Sequence, residues 1–192
     1  MKKLWCLFVI CFATVSLAST YELKKAPQSL EDWTNGEFYN GEAPPADATA
    51  EVFLPENTTS KVDNASIAYV GSFRVIRPRG MAALLVDVST NAVFHAAFTP
   101  SVKTRPNERG LFIKRGVGFL QLASLGNVPR WNGDNQLLEH QFDYDSNFRV
   151  EAGVLKMPDR GLGATGKIIT DFFLNDITVL KGGVFAPSAS ET

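Results

Sequence analysis

The sequence predicts an all-β fold made of short strands stacked on one another. Runs rich in Val, Ile, Phe and Leu, interrupted by Gly, Asn, Asp or Pro, recur along most of the chain. One short phrase, glycine followed by apolar residues, occurs three times, in KRGVGFLQLA (114–123), EAGVLKMPD (151–159) and KGGVFAP (181–187). Both cysteines fall within residues 1–18, so the rest of the chain must be stabilised by a core and not by disulfides.

The N-terminus has the pattern of a secretory signal peptide. A charged start at Lys2 and Lys3 precedes an apolar run over 4–17, and small residues at Ser16 and Ala18 predict cleavage after Ala18. The run is too short to span a bilayer, and no later run approaches ~20 apolar residues. We therefore expect an exported protein, extracellular, at the cell surface or periplasmic, whose mature chain has no membrane span.

The charge balance excludes two classes of partner. Without the signal peptide the chain has 17 basic and 20 acidic residues, a net charge of about −3. This is too mild a charge to indicate nucleic acid or an anionic membrane as the partner. We expect self-association, or an extracellular glycan or protein, instead.

Eight runs predict strands because they are short, apolar and bounded by turn residues. They are EVFLP (51–55), SIAYV (66–70), SFRVI (72–76), LFIK (111–114), GFLQLA (118–123), NFRVEAGVLKM (147–157), KIITDFFL (167–174) and DITVL (176–180). The stretch 79–98 has a competing helical interpretation, because residues 81–85 are good helix formers, and we predict strand there as well.

The glycine phrase recurs at nearly regular spacing. Gly118 and Gly153 are 35 residues apart, and Gly153 and Gly183 are 30 apart. Such spacing is typical of stacked repeats, in which each unit buries its apolar face against its neighbours. Three strands of ~5 residues with their turns need about 20–25 residues, so each interval fits one coil with an extruded loop such as 124–145. Glycine suits the recurring corner because it adopts positive φ freely.

These phrases resemble the autotransporter-associated β-strand repeat. In that family Lys-x-Gly-x-Gly-x-Leu-x-Leu is followed, after a polar loop, by a strand ending x-x-Gly-x-Leu. The matching positions here are Lys114, Gly116, Gly118, Leu120 and Leu122, then Gly153 and Leu155, and the corner at Gly182 and Gly183 continues the pattern. The resemblance covers residues 32–187. It implies a single-stranded right-handed parallel β-helix, a solenoid, displayed or released outside a bacterial cell.

The residue patterns and the resemblance together predict how the chain is organised and what it does. We expect a signal peptide over 1–18, an N-terminal cap segment over 19–50, β-helix coils over 51–187 and a polar tail over 188–192. The function implied is a non-enzymatic extracellular scaffold or adhesin-like surface component. Two alternatives remain open, a polysaccharide lyase-like enzyme on the same fold and a carbohydrate-binding β-sandwich module, which predicts antiparallel hairpins.

A few polar residues are candidates for binding. Asp143, Asp145 and Asn147 begin like a calcium-binding loop, although the glycine and the final glutamate of an EF-hand are missing. Arg74 and Arg77 lie close together in sequence and are candidates for binding an acidic sugar or phosphate.

Other sequence features bear on ligands and on catalysis. Trp131 is a candidate for stacking on a sugar ring. The two histidines are isolated, no Gly-x-Ser-x-Gly occurs, and we predict no catalytic residue and no cofactor.

The C-terminal phrase VLKGGVFAPSASET predicts an uncovered end. It has a Gly-Gly corner, a short apolar strand with Val184 and Phe185, and a polar tail. We expect these apolar side chains and the strand edge to favour self-association or a continuation of the stack.

Overall fold

The computed structural model describes residues 19–101, 109–123, 144–158 and 172–187, and within them the fold is all-β with parallel sheets. The helical elements of these residues are two short α-helices, α1 (Leu30–Thr34) and α2 (Ile67–Val70), and a 3₁₀ turn (Gly36–Phe38). The strands are β1 (Thr20–Glu22), β2 (Glu51–Phe53), β3 (Thr59–Asp63), β4 (Val75–Arg77), β5 (Ala83–Asp87), β6 (Ala92–Phe94), β7 (Ala97–Phe98), β8 (Leu111–Arg115), β9 (Phe119–Leu122), β10 (Tyr144–Val150), β11 (Gly153–Lys156), β12 (Phe172–Val179) and β13 (Gly183–Ala186).

All pairings between these strands are parallel, and they form three ladders. The first ladder contains β1, β2, β4, β7 and the beginnings of β10 and β12. The second contains β3, β5, β8 and the ends of β10 and β12. The third contains β13, β11, β9 and β6. Parallel pairing throughout the described strands contradicts the antiparallel hairpins expected of the β-sandwich alternative.

The core lies between the ladders and is made of side chains stacked in register. In the second ladder Leu84 pairs with Phe112, which pairs with Phe148, and all three side chains are buried. The rings of Phe112 and Phe148 lie 5.4 Å apart, and a third ring, Phe98 of the first ladder, lies 5.6 Å from Phe112. In the third ladder Leu120 pairs with the buried Leu155. Each such side chain contributes about 1.5–3 kcal/mol by leaving water.

The first described residues close one end of the second ladder. The indole Nε1 of the buried Trp33, in α1, donates to the carbonyl of Lys61 at 2.7 Å, and the backbone N–H of Lys61 donates to the carbonyl of Pro27 at 2.7 Å. The side-chain amide of Gln28 donates to the carbonyl of Thr59 at 2.8 Å. These bonds occupy the free edge of β3, which would otherwise offer unpaired backbone groups to another strand.

The strand expected over 66–70 is wrong, because α2 lies there. The carboxylate of Asp63 accepts hydrogen bonds from the backbone N–H groups of Ala65 and Ser66 and from the Ser66 hydroxyl. This side-chain turn bends the chain into a helical turn, which outweighs the β-propensity of the residues that follow. The turn ends at Gly71, whose N–H donates to the carbonyl of Ile67 at 2.8 Å.

The other expectations for the strands have mixed outcomes. Strand, not helix, is confirmed in 79–98, where β5, β6 and β7 lie. Two strands were not expected: β3, and β1, which lies inside the 19–50 segment and extends the first ladder into it. The expected signal peptide, the tail over 188–192 and the first part of 167–174 lie outside the described residues. Among the described residues no helix is long and apolar enough to cross a membrane.

The glycines of the repeat lie at stacked corners where backbone meets backbone. Gly153 has φ +66°, and a Cβ there would lie 2.5 Å from the carbonyl oxygens of both Gly116 and Gly118. A Cβ on Gly118 would lie 2.2 Å from the carbonyl oxygen of Thr90. Gly182 also has a positive φ, +96°, but nothing lies within 4 Å of the position of its Cβ. Corner glycines therefore serve two separate needs, a left-handed backbone and close contact between successive corners.

We expect Gly153→Ala to destabilise the protein more than Gly182→Ala. Both substitutions place alanine at positive φ, which costs about 1–2 kcal/mol. Only Gly153→Ala also forces backbone atoms apart, so its total loss should reach about 3 kcal/mol. The denaturant midpoints of the two variants and the wild type would measure this. Equal losses would mean that the corners at 116–118 and 153 do not stack.

Candidate functional site

A groove of about 900 Å³, open to solvent, lies beside β6. Its walls include Asp47 on one side, Gly71 and Arg74 after α2, and Val93 and His95 in and after β6. The third ladder begins at β6, so one edge of this strand has no strand partner in the part of the chain that the structure describes.

The groove exists because α2 occupies the place next to β6. A helical turn satisfies its own backbone groups, so it does not extend a β-ladder. Gly71 allows the end of the turn to come close to the strand, since a Cβ there would lie 2.8 Å from the carbonyl oxygen of Ile67 and 3.4 Å from the backbone nitrogen of His95. A Cβ at 71 would therefore crowd the carbonyl of Ile67 within the turn, while its contact with the β6 side would be ordinary.

Arg74 supplies the positive charge of the groove. Its side chain is half-buried, and among the described residues its guanidinium has no hydrogen-bond or ion-pair partner. The nearby carboxylate of Asp47 accepts from the backbone N–H and the hydroxyl of Thr49, at 3.1 and 2.7 Å. The side-chain oxygen of Asn91 accepts from the backbone of Phe119 at 3.3 Å, which leaves its amide hydrogens as donors.

This arrangement suits a ligand that has an apolar side and an anionic group. A guanidinium binds a carboxylate or phosphate through two parallel hydrogen bonds. Apolar walls with a few polar groups are typical of small-ligand sites. The exposed imidazole of His95 adds a second polar group on the β6 wall.

Arg77, the other arginine candidate, is not in the groove. It is 1 % exposed and its guanidinium pairs with the carboxylate of Glu51 at 3.3 Å. It also donates to the carbonyls of Thr99 and Pro100 at 3.4 and 3.3 Å. Arg77 therefore binds the first ladder to the chain after β7, and the structure does not place it with Arg74 in one ligand site.

The three calcium candidates are likewise not brought together in one site among the described residues. Asp145 is buried and pairs with the guanidinium of Arg109 at 3.0 Å, so a cation at this carboxylate would compete with an arginine. Asn147 is half-buried in β10, in register with Leu111 of β8. Asp143 and the sugar-stacking candidate Trp131 lie outside the described residues. Within the described ranges no three His, Cys, Asp or Glu side chains are placed to hold a metal ion.

Comparison with protein-family models, with curated proteins and with solved structures finds no match to this chain. The function therefore has to be argued from the geometry of this molecule and from its sequence.

Among the repeat residues, Lys114 connects the corner at 115–116 with the corner at 152–153. Its side chain is buried in the second ladder between Val86 and Val150, its partners in register. The ammonium donates to the carbonyls of Arg115 and Gly116, at 2.8 and 2.7 Å. A third bond, 3.2 Å long, reaches the carbonyl of residue 152 in the next corner. Lys114 therefore fastens one corner to the next from inside the stack.

Burial lowers the pKa of Lys114 from its usual value, and the carboxylate of Asp87 partly opposes this. Just below pH 10.5, the ordinary pKa of a lysine, the unfolded chain consequently binds more protons than the folded chain. The contribution of Lys114 to stability therefore rises with pH through that window.

We expect Lys114→Met to lose about 1–3 kcal/mol, because three part-buried carbonyls lose their hydrogen-bond donor. Lys24 is an exposed lysine of the cap segment, so Lys24→Met, the matched control, should change stability by less than about 0.5 kcal/mol. Denaturant unfolding over a series of pH values would measure both. The loss in Lys114→Met should grow toward pH 10.5. A methionine variant as stable as the wild type would mean that water satisfies these carbonyls.

Proposed function

We propose that the chain is an exported right-handed parallel β-helix that serves as an extracellular scaffold or adhesin-like surface component and not as an enzyme. The observation that carries this proposal is the order in which the chain meets the ladders. From β4 onward, each of four successive passes adds a strand or part of a strand to the first, second and third ladder in turn. That order, with parallel pairing in every ladder, is what a coil with three faces requires.

Handedness and export rest on separate support. Connections between parallel strands of one sheet are right-handed in nearly all proteins, because the twist of the strands favours that crossing. The N-terminal pattern of two lysines, an apolar run and a small-residue site supports export. Phrases similar to autotransporter-associated repeats support a location outside a bacterial cell.

A scaffold role is supported by the outer face of the second ladder. Some side chains that point away from the core there are charged, with Lys61 3.8 Å from Asp87 and Arg115 2.7 Å from Glu151, while Leu85 and Ile113 form a small apolar cluster on the same face. Such exposed pairs add little stability, about 0–1 kcal/mol each, so their main effect is a solvated, mixed-charge surface toward the ends of these strands. A surface of this kind suits a protein that works in water outside the cell.

An adhesin-like role needs a place for a ligand, and we assign it to the groove beside β6. The guanidinium of Arg74, which has no partner among the described residues, favours a carboxylate, and the acidic sugars of extracellular polysaccharides carry one on each unit. A half-buried arginine, a donor amide on Asn91 and the apolar face of Val93 suit one or two such units. On this proposal the ligand is held and released unchanged.

We expect a short oligomer of galacturonic acid to bind the wild type and to bind Arg74→Gln at least tenfold more weakly, because the variant loses the cation. Arg149→Gln removes the same charge from the second ladder, outside the groove, and should bind like the wild type. Calorimetry would measure the affinities.

Incubation with pectin or alginate, with and without calcium, should yield no unsaturated or reducing ends. Turnover abolished by a carboxylate substitution would favour the polysaccharide lyase-like alternative.

The stacking itself predicts a specific cross-link. Val154 and Val184 are partners in register on β11 and β13, and neighbouring strands lie about 4.8 Å apart, within the range that a disulfide spans. Val154→Cys with Val184→Cys should therefore form a disulfide on mild oxidation. The pair at positions 93 and 154 is separated by β9 and should stay reduced. Mass spectrometry after proteolysis would distinguish the two, and the reverse result would exclude the proposed coil.

A further inference from the structure

The last rung that the structure describes, formed by the end of β12 and by β13 (176–186), leaves core positions uncovered. Ile177 is 39 % exposed, whereas its partner in register, Phe148, is 1 % exposed. Val179 is 45 % exposed, and its partner Val150 is fully buried. Side chains at these positions point into the core in the preceding rungs, so their exposure means that the core is open at this end.

The backbone at this end is also uncovered. Among the described strands, β12 pairs only with β10 and β13 only with β11. Each therefore presents one edge of N–H and C=O groups, which invites another strand. The opposite end differs at the second ladder, because Trp33 and Gln28 occupy the edge of β3 there, although the edge of β6 has no partner among the described strands. A second copy therefore cannot add its β3 edge to this rung without first losing its own cap.

We infer that two copies of this chain dock through their last rungs, related by a twofold axis that passes near Lys181. This inference rests on strand pairing and exposure and does not depend on the proposed function. The segments 176–179 and 183–186 lie at equal distances on either side of residue 181. A twofold axis there sets β12 of one copy antiparallel to β13 of the other, and the same contact occurs twice, as in an isologous dimer.

The alternation of side chains agrees with this register. Antiparallel partners point to the same face of a sheet, so each pair must share a direction. The axis at 181 places Ile177 opposite Phe185 of the second copy, and both belong to core-facing positions. It places Thr178 opposite the outward Val184. A register shifted by one residue would set core-facing side chains against outward ones.

The contact is small, which sets its strength. Eight strand residues from each copy correspond to the low end of specific interfaces, below about 1,200 Å². We therefore expect a dimer that dissociates as the protein is diluted into the micromolar range.

Sedimentation velocity of the purified mature protein, from micromolar to millimolar concentration, tests this inference. The wild type should pass from monomer to dimer. Val179→Lys should remain monomeric and folded, because the side chain is already 45 % exposed and its charge would be buried only in the dimer. Val117→Lys, the matched control on the exposed corner after β8, should dimerise like the wild type. A wild type that is monomeric at every concentration, or a Val179→Lys variant that still dimerises, would overturn the inference.

A cross-link identifies the axis independently. Two copies of residue 181 lie next to each other at the proposed axis, so Lys181→Cys should form a disulfide between copies on mild oxidation. Val117→Cys should form no such disulfide, and the unsubstituted protein is the negative control. Failure of Lys181→Cys to cross-link in a dimerising protein would mean that another surface makes the dimer.

Discussion

Pairing of parallel strands in register is the constraint on which the rest of this structure depends. Neighbouring strands lie about 4.8 Å apart, so each core-facing side chain packs on its counterparts in the rungs on either side. Phe112 is placed between Leu84 and Phe148 in this way. A residue must therefore suit two neighbours as well as its own strand. Lys114 occupies such a position between two valines only because its ammonium reaches the carbonyls of two corners.

Because of this constraint, the glycines and apolar residues of the repeat could be placed from the sequence. Gly118, Gly153 and Gly183 were predicted to be corners with positive φ because that need belongs to one residue; positive φ is found at Gly153, whereas at Gly118 and Gly183 the glycine is needed for close backbone contact. Leu120 was predicted from the family phrase and Leu155 because it is an apolar residue that follows a corner glycine, and both side chains are buried. A stacked repeat was predicted from the spacing of these glycines, and the parallel direction of its strands was implied by the family resemblance.

Features that depend on distant partners could not be predicted. Arg74 and Arg77 look alike in sequence, and their different environments depend on Glu51, a residue 26 positions away from Arg77 that pairs with it. The groove follows from α2, and α2 follows from one carboxylate, Asp63, bending a segment of good strand formers. The three residues of β1 are too few to show a period, and they became a strand by pairing with β2.

The cap around Trp33 also gives the molecule a direction of growth. Of the described strands, all except β1 follow this segment in the chain, so during synthesis it is made before them. On the proposed coil, each later strand needs to find only the edge left by the previous pass, so the loop that must close is no longer than one pass. On that proposal, a partly made chain is a shorter coil whose most recent strands offer an edge to the next pass. Assembly then resembles templated elongation more than a search over many pairings.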